Sequence, residues 1–354
     1  MTCRSNYPRC KIAENFQVNP LESAYHYFSA RRKRAAESAR VEFPATRIIC
    51  IGNITTGGTG KTPVVQWLAR RFENEKIKTA IVARGYGGEF SLRGAVVSDG
   101  EKVFLNARQA GDEAILHARS LPNIPIIIGR DRVEATQMAI EKFAPQVVLL
   151  DDGFQYWSLA RDYDLVLLDA RRPFGNGKLL PLGRLREPPC ELGRAKGVLL
   201  TRVDKSDESE LEHAEDEVGR LTDAPIFRAS HAPHHLRDET DGGQIHLEKI
   251  NKLPVAVLSA LANNEDFLQS LKSRGAHIKN VLARRDHHQW REKEVRNFAH
   301  GAKANGAQAI VTTEKDAVKL NANWCEDLPL WSLTIEMQIE NEDELWRLIS
   351  SEVL

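Results

Sequence analysis

Eight consecutive residues, Thr55-Thr56-Gly57-Gly58-Thr59-Gly60-Lys61-Thr62, combine the groups needed to hold a nucleoside triphosphate. Glycines let successive backbone N–H groups turn inward around phosphate oxygens at the positive end of a following helix. Lys61 would then reach the β- and γ-phosphates, and the Thr62 hydroxyl would ligate Mg²⁺. Thr55 stands where GxxxxGK[ST] has its first glycine, so the assignment rests on Gly57, Gly58, Gly60, Lys61 and Thr62 together. A glycine-rich turn without a ligand is the rival. It is disfavoured because the apolar run Arg47 to Ile51 reads as a buried strand and Thr62 to Asn74 as a helix, the context this loop requires.

Other carboxylates fall where such chemistry would use them. Asp151 and Asp152 close the apolar run Val147 to Leu150, the pattern of an acidic strand that holds Mg²⁺ beside a phosphate loop. Successive strand residues point to opposite sides, so one aspartate would face the metal unless the strand ends there, and Gly153 suits an ending. Helix capping is the alternative for the pair. Asp112, in Gly111-Asp112-Glu113, opens a helix-like pattern. It would cap that helix, support the metal or accept a proton from an acceptor hydroxyl. Asp286-His287-His288 is open between a metal ligand set, a surface loop and an element brought over the nucleotide. Thr312 to Asp316 would contact nucleotide or cap a helix. His231, His234 and His235 lack a carboxylate or thiol at ligand spacing, which disfavours metal there.

These residues need a scaffold that brings them together. Strand-like runs recur at Thr79 to Ala83, Ala95 to Val97, Ile124 to Ile128, Val147 to Leu150, Leu165 to Leu168 and Gly197 to Leu200, between helical or loop stretches. Unbroken apolar strands alternating with helices predict an α/β fold, a P-loop doubly wound and mostly parallel sheet with ligands at the strands' carboxyl ends. After about Ile226 the texture changes. His231 to Gly243 reads as a turn or linker, and a second, smaller α/β unit follows, with strands at Val255 to Leu258, Ile278 to Leu282 and Ala309 to Thr312. The expected division is a segment 1–46, a nucleotide-binding domain 47–225 and a smaller domain 226–354.

Composition narrows the partners. The 354 residues carry 49 basic and 49 acidic side chains, so no global charge argues for nucleic acid. Five scattered cysteines suggest neither a disulfide framework nor zinc and fit a reducing cytoplasmic compartment. No apolar run reaches the roughly 18 to 20 residues of a spanning helix, so a soluble body is expected. In Pro20 to Arg40, Leu21, Ala24, Tyr25 and Phe28 share one helical face, followed by Arg31 to Arg34. That pattern suits either an interfacial helix on an anionic membrane or a helix packed on its own domain.

The chain resembles the tetraacyldisaccharide 4′-kinase family, the lipid A 4′-kinases. The resemblance runs through GNITTGGTGKTP from Gly52, ARGYGG from Ala83, VSDG from Val97, GDE from Gly111, GRDR from Gly129 and LLDDGFQ from Leu149. It continues through FGNGKLLPLGRLREP from Phe174, RRDHHQW from Arg284 and VTTEKDAVKL from Val311, in family order over most of residues 47–320. It implies ATP- and Mg²⁺-dependent phosphorylation of the 4′-hydroxyl of a tetraacylated glucosamine disaccharide 1-phosphate, at the cytoplasmic face of the inner membrane. By motif, Lys61 and Thr62 match the phosphate-loop lysine and metal hydroxyl, and Asp151 and Asp152 the acidic pair. Asp112 matches the general base and His287 its dyad partner. Tyr86, Arg132, Gln155, Arg186 and Glu187 match positions that hold the sugar and its phosphate. Two guanidiniums suit an anionic headgroup, since Arg binds phosphate bidentately. The chain departs from the family at its first helix, where only the stripe Leu21 to Phe28 stands, at Ala114 of GDEA, and at Leu258 to Asn264, which lacks the expected glycines and proline. The rival from another class is a P-loop nucleotide-gated switch or maturation protein, supported by Thr201-Arg202-Val203-Asp204.

Overall fold

Ile48, Ile49, Cys50 and Ile51 are almost wholly removed from solvent in the strand Arg47–Gly52, so successive side chains are covered on both faces. The same holds for the flanking strands Val147–Asp151 and Tyr163–Asp169. The computed structural model describes residues 19–354, which form two units, each assembled from separate stretches of chain.

The first unit comprises 19–82, 132–230 and 338–354. Its central strands pair in parallel. Arg47–Gly52 lies between Val147–Asp151 and Tyr163–Asp169. Thr79–Ala83 continues the sheet beyond the former, and Gly197–Thr201 followed by the start of Ile226–Asp238 beyond the latter. The helix Lys61–Asn74 buries Val64, Val65, Leu68, Ala69 and Phe72, the spacing of one helical face. This is the doubly wound parallel sheet expected, with the glycine loop at the carboxyl end of a central strand.

The second unit comprises 83–131 and 231–337. Pro254–Ala260 pairs in parallel with His277–Arg284 on one side and with Ala309–Thr313 on the other, and Leu330–Ile339 pairs in parallel with Ala309–Thr313. Ala95–Ser98 and Ile126–Ile128 pair with each other in antiparallel fashion. Two apolar clusters, one around Trp290, Val295 and Ile310 and the other around Phe267, Leu271 and Trp331, fill the space around the parallel strands. The units are therefore discontinuous in sequence, unlike the single cut near residue 226 that the texture of the sequence suggests.

Two expectations are corrected here. His231 to Gly243 is not a linker throughout, because Ile226–Asp238 is one 13-residue strand, and only the residues after it turn, to pair back through Gln244–Ile245. Its proline, Pro233, and its histidines disguise the strand, since proline lowers strand propensity wherever the ladder needs an N–H. The described part of the segment 1–46 belongs to the nucleotide-binding unit, and its first eighteen residues, with Cys3 and Cys10, lie outside the described ones. Its helix Pro20–Ser38 is capped by Asn19 and packs through polar contacts. Buried Glu22 accepts from the Leu179 N–H at 2.9 Å, Tyr25 donates to the Arg186 carbonyl at 3.0 Å, and Lys33 pairs with Glu191 at 2.6 Å. Leu21, Tyr27 and Phe28 are left 57 to 62% exposed. Among the described residues no helix is long and apolar enough to cross a membrane.

Candidate functional site

In the first unit the chain leaves Arg47–Gly52 into a loop whose backbone is shaped by glycine. Gly57 has φ +120° and Gly60 φ +84°, left-handed values that cost side-chain-bearing residues, and Gly60 caps the helix that starts at Lys61 without a side-chain hydrogen bond of its own. A Cβ added at Gly58 would meet nothing within 4 Å, so the mouth of the loop is open. Thr55 is absent from the positive-φ residues and instead bridges Leu185, with Thr56 N–H donating to the Arg184 carbonyl at 2.7 Å. A glycine is therefore not required at the first position of the motif. The loop is braced inside by Asn53, which donates to Thr59 Oγ1 at 3.0 Å, and outside by Arg202, which donates to the Gly58 carbonyl at 2.8 Å.

The carboxyl end of Val147–Asp151 supplies the acid. The strand stops at Asp151, which is 2% exposed, and Asp152 turns out of it at φ +56°, an uncommon conformation of the kind that gathers at functional sites. Asp152 lies 3.6 Å from Lys61 Nζ and receives Arg186 Nη1 at 2.8 and 2.9 Å on its two oxygens. The same nitrogen donates to Gln155 Oε1 at 3.1 Å, and Gln155 Nε2 donates to the Asn53 carbonyl at 2.7 Å. Burial pushes the Asp152 carboxyl up, but the charges of Lys61, Arg186 and Arg132 prevail and hold it below the usual carboxylate range. Arg132, 3% exposed, opens the helix Arg132–Phe143 with its guanidinium 5.9 Å from the Tyr156 ring centroid. Glu187 is 1% exposed and paired with Arg194, and burial still pushes its carboxyl up to about 7.

Oxygen donors, all hard, make up the set Thr62, Asp151 and Asp152, and Asp152 is ionised well below neutrality. That chemistry fits Mg²⁺ held with the help of nucleotide phosphates rather than a closed protein cage. Among the described residues no three His, Cys, Asp or Glu side chains gather to hold a metal by themselves.

A second constellation lies within the other unit. Gly111 at φ +87° lets the chain turn into the helix Asp112–Ser120, and a Cβ there would come within 2.5 Å of the Tyr86 carbonyl oxygen. ARGYGG and GDE are thus locked backbone to backbone. Asp112, the first residue of the helix, is 5% exposed. Its Oδ2 lies 3.4 Å from His287 Nδ1 and 3.4 Å from Lys319 Nζ. Burial raises the Asp112 carboxyl, but the His287 hydrogen bond and the charges of Lys319 and Lys315 outweigh it, so the group stays ionised below the usual range. His287 itself has φ +61°, lies tilted against the exposed Tyr86 with ring centroids 5.1 Å apart, and has Lys315 Nζ at 3.4 Å from Nε2. His288 points elsewhere, to Glu294 at 3.0 Å and edge-on to Trp290. The histidine pair is therefore split between two tasks.

Reasoning from sequence did not pick out Asn53, touched Arg202 only through Thr201-Arg202-Val203-Asp204, offered Asp316 only within Thr312 to Asp316, and did not pick out Lys319. The Asp316–Lys319 spacing of i, i+3 on one face was the available signal for the last two. The capping expected for Thr312 to Asp316 is present, since Thr313 Oγ1 accepts from the Asp316 N–H at 3.1 Å. In the segment Leu258 to Asn264, Asn264 closes the loop by donating to the carbonyls of Leu261 and Arg284.

Comparison with known proteins adds an independent finding. The family described as Tetraacyldisaccharide-1-P 4'-kinase matches residues 15–354. A tetraacyldisaccharide 4'-kinase of Syntrophus aciditrophicus is 37% identical over 86% of this chain and 83% of that protein. One from Elusimicrobium minutum is 38% identical over 94% of this chain and 87% of its own. A solved structure of LpxK from Aquifex aeolicus in complex with ATP superposes with a TM-score of 0.76 at 27% identity, covering 95% of this chain and 98% of the other.

Proposed function

Because the chain belongs to the tetraacyldisaccharide-1-P 4'-kinase family, we propose that it transfers the γ-phosphoryl group of ATP to the 4′-hydroxyl of an acylated glucosamine disaccharide 1-phosphate. The observation that carries this reading is the family match over residues 15–354, on a chain that keeps Gly57, Gly58, Gly60, Lys61 and Thr62 in a strand–loop–helix setting.

Phosphoryl transfer needs alignment and charge neutralisation more than covalent help from the protein. The backbone N–H groups of Thr55 to Thr62 cradle the phosphates, and the Lys61 ammonium moves from Asp152 to the β- and γ-oxygens. Thr62, Asp151 and Asp152 would hold Mg²⁺, which when bound would neutralise negative charge on the nucleotide phosphates. Asp112 accepts the proton of the attacking hydroxyl, and His287, donating from Nδ1, orients the carboxylate. Tyr86, Arg132, Gln155, Arg186 and Glu187 hold the sugar and its 1-phosphate, the guanidiniums bidentately. Incubating the pure protein with labelled ATP, Mg²⁺ and the disaccharide 1-phosphate in detergent should give labelled lipid. Folded protein that hydrolyses GTP in preference to ATP and labels no lipid would support the nucleotide-switch reading instead.

The substrate is a lipid, and the helix Pro20–Ser38 supports a reversible membrane contact at the cytoplasmic face of the inner membrane. Leu21, Ala24, Tyr27 and Phe28 are solvent-exposed ahead of Arg31, Arg32 and Arg34, while Tyr25 and Glu22 hold the opposite side to the protein. Flotation with anionic vesicles is expected at low salt and to fall away by about 0.5 M, where the Debye length is down to about 4 Å. Binding indifferent to salt and to Phe28→Ser would remove this reading.

A further inference from the structure

We propose that Lys319 is a positioning residue for the proton acceptor Asp112, a buried ammonium that pins one carboxylate oxygen and keeps the group charged, itself anchored by Asp316. The proposal rests on the reading of Asp112 as the base. Lys319 Nζ lies 3.4 Å from Asp112 Oδ2 and 3.0 Å from Asp316 Oδ1, with side-chain exposures of 1% for Lys319, 6% for Asp112 and 0% for Asp316. An ammonium so buried is costly unless it is paired, and here two carboxylates face it.

The anchor is rigid. Asp316 receives the Ala260 N–H at 2.8 Å and the Thr313 hydroxyl at 2.9 Å on Oδ2, and the Trp290 indole N–H at 3.1 Å on Oδ1. All of its hydrogen-bonding capacity toward these groups is spent in place, which leaves Lys319 little freedom to leave Asp112. The other groups around Asp112 are His287, on the same oxygen, Lys315, which reaches Asp286 at 2.8 Å, and Tyr86, tilted against His287. The His287 and Lys319 contacts both fall on Oδ2, so Oδ1 is the oxygen engaged by neither. One oxygen thus fixes the orientation while the other takes the substrate proton. His287 sits on a left-handed loop residue and its exposure is far greater, whereas the Lys319 contact is buried in the protein body. The lysine, not the histidine, is the part of this arrangement that holds its place without substrate.

The test is Lys319→Met, which keeps length and removes charge. Turnover at pH 7 should fall about ten- to a hundredfold with the KM for MgATP within about twofold, and the acid limb of the kcat profile should move up by about one pH unit. A ¹³C titration of the Asp112 carboxyl should move the same way, and because it needs no turnover it stays informative even if the wild-type protein labels no lipid. In an Asp112→Asn background the same change should alter kcat by less than about twofold, because the partner is already gone. Lys319→Arg, which restores the charge, should return the acid limb toward its wild-type position. If Lys319→Met does not fold, Lys319→Met with Asp316→Asn removes both opposing charges, and the same displacement is expected. A folded variant whose acid limb and Asp112 titration match the wild type would overturn the proposal.

Discussion

Asp112→Asn is expected to lower turnover by roughly 10²- to 10⁴-fold, the range that a lost general base produces, while nucleotide affinity stays within about twofold. The amide fills the same space but cannot take a proton. The groups that shape the phosphate loop, Asn53, Thr59 and Arg202, belong to a separate cluster of contacts, so binding of a fluorescent ATP analogue should persist. The wild-type carboxyl is held below its ordinary value by its hydrogen bond from His287 and by Lys319 and Lys315 against the effect of burial. Its base form therefore persists through neutral pH and is lost only as the pH falls through a value below the usual carboxylate range. The stability that these contacts lend follows the same sign, fully present above the unfolded carboxylate pKa and lost on acidification. Removing the charge leaves Lys319 with Asp316 alone, at a cost of about 1 to 3 kcal/mol that a thermal melt would register. A variant that retains more than a tenth of wild-type turnover would take the proton-acceptor role away from Asp112.

Lys61→Ala should reduce single-turnover transfer by about 10²- to 10³-fold, the size associated with loss of one preorganised group that stabilises charge in the transition state. In the structure the ammonium rests 3.6 Å from Asp152, which also holds Arg186. Truncation leaves that carboxylate with a guanidinium partner, so the local fold should survive and the melting temperature should change little. Lys61→Arg should recover only a small part of the rate, because a planar fork cannot occupy the place of a compact ammonium inside a glycine-walled loop. Rapid-quench measurement of labelled lipid from pre-bound MgATP separates the chemical step from binding. Burst amplitude and rate equal to wild type would refute the assignment.

The phosphate loop and its strand were legible because they are local. An apolar run, glycines at fixed offsets and a helix with Val65, Leu68 and Phe72 on one face all lie within thirty residues, where backbone preferences and burial act directly. Asp151 and Asp152 were legible for the same reason, and the φ of +56° at Asp152 resolves how adjacent residues on a strand escape opposite faces. The long strand through Pro233 and His234 was missed because its pairing partners, rather than its own composition, decide its conformation.

Sequence alone determined that this chain carries a triphosphate loop, an acidic strand end and the ordered motifs of a lipid kinase. Only the tertiary structure gives Asp112 its surroundings, since in sequence a helix cap and a proton acceptor look alike. Its partner His287 lies 175 residues away, and the buried Lys319 and Asp316 that fix it belong to another element altogether. Local chemistry is written in neighbouring residues, but the ionisation and orientation of a carboxylate depend on charges and desolvation brought by distant parts of the chain, and those exist only once the chain has folded.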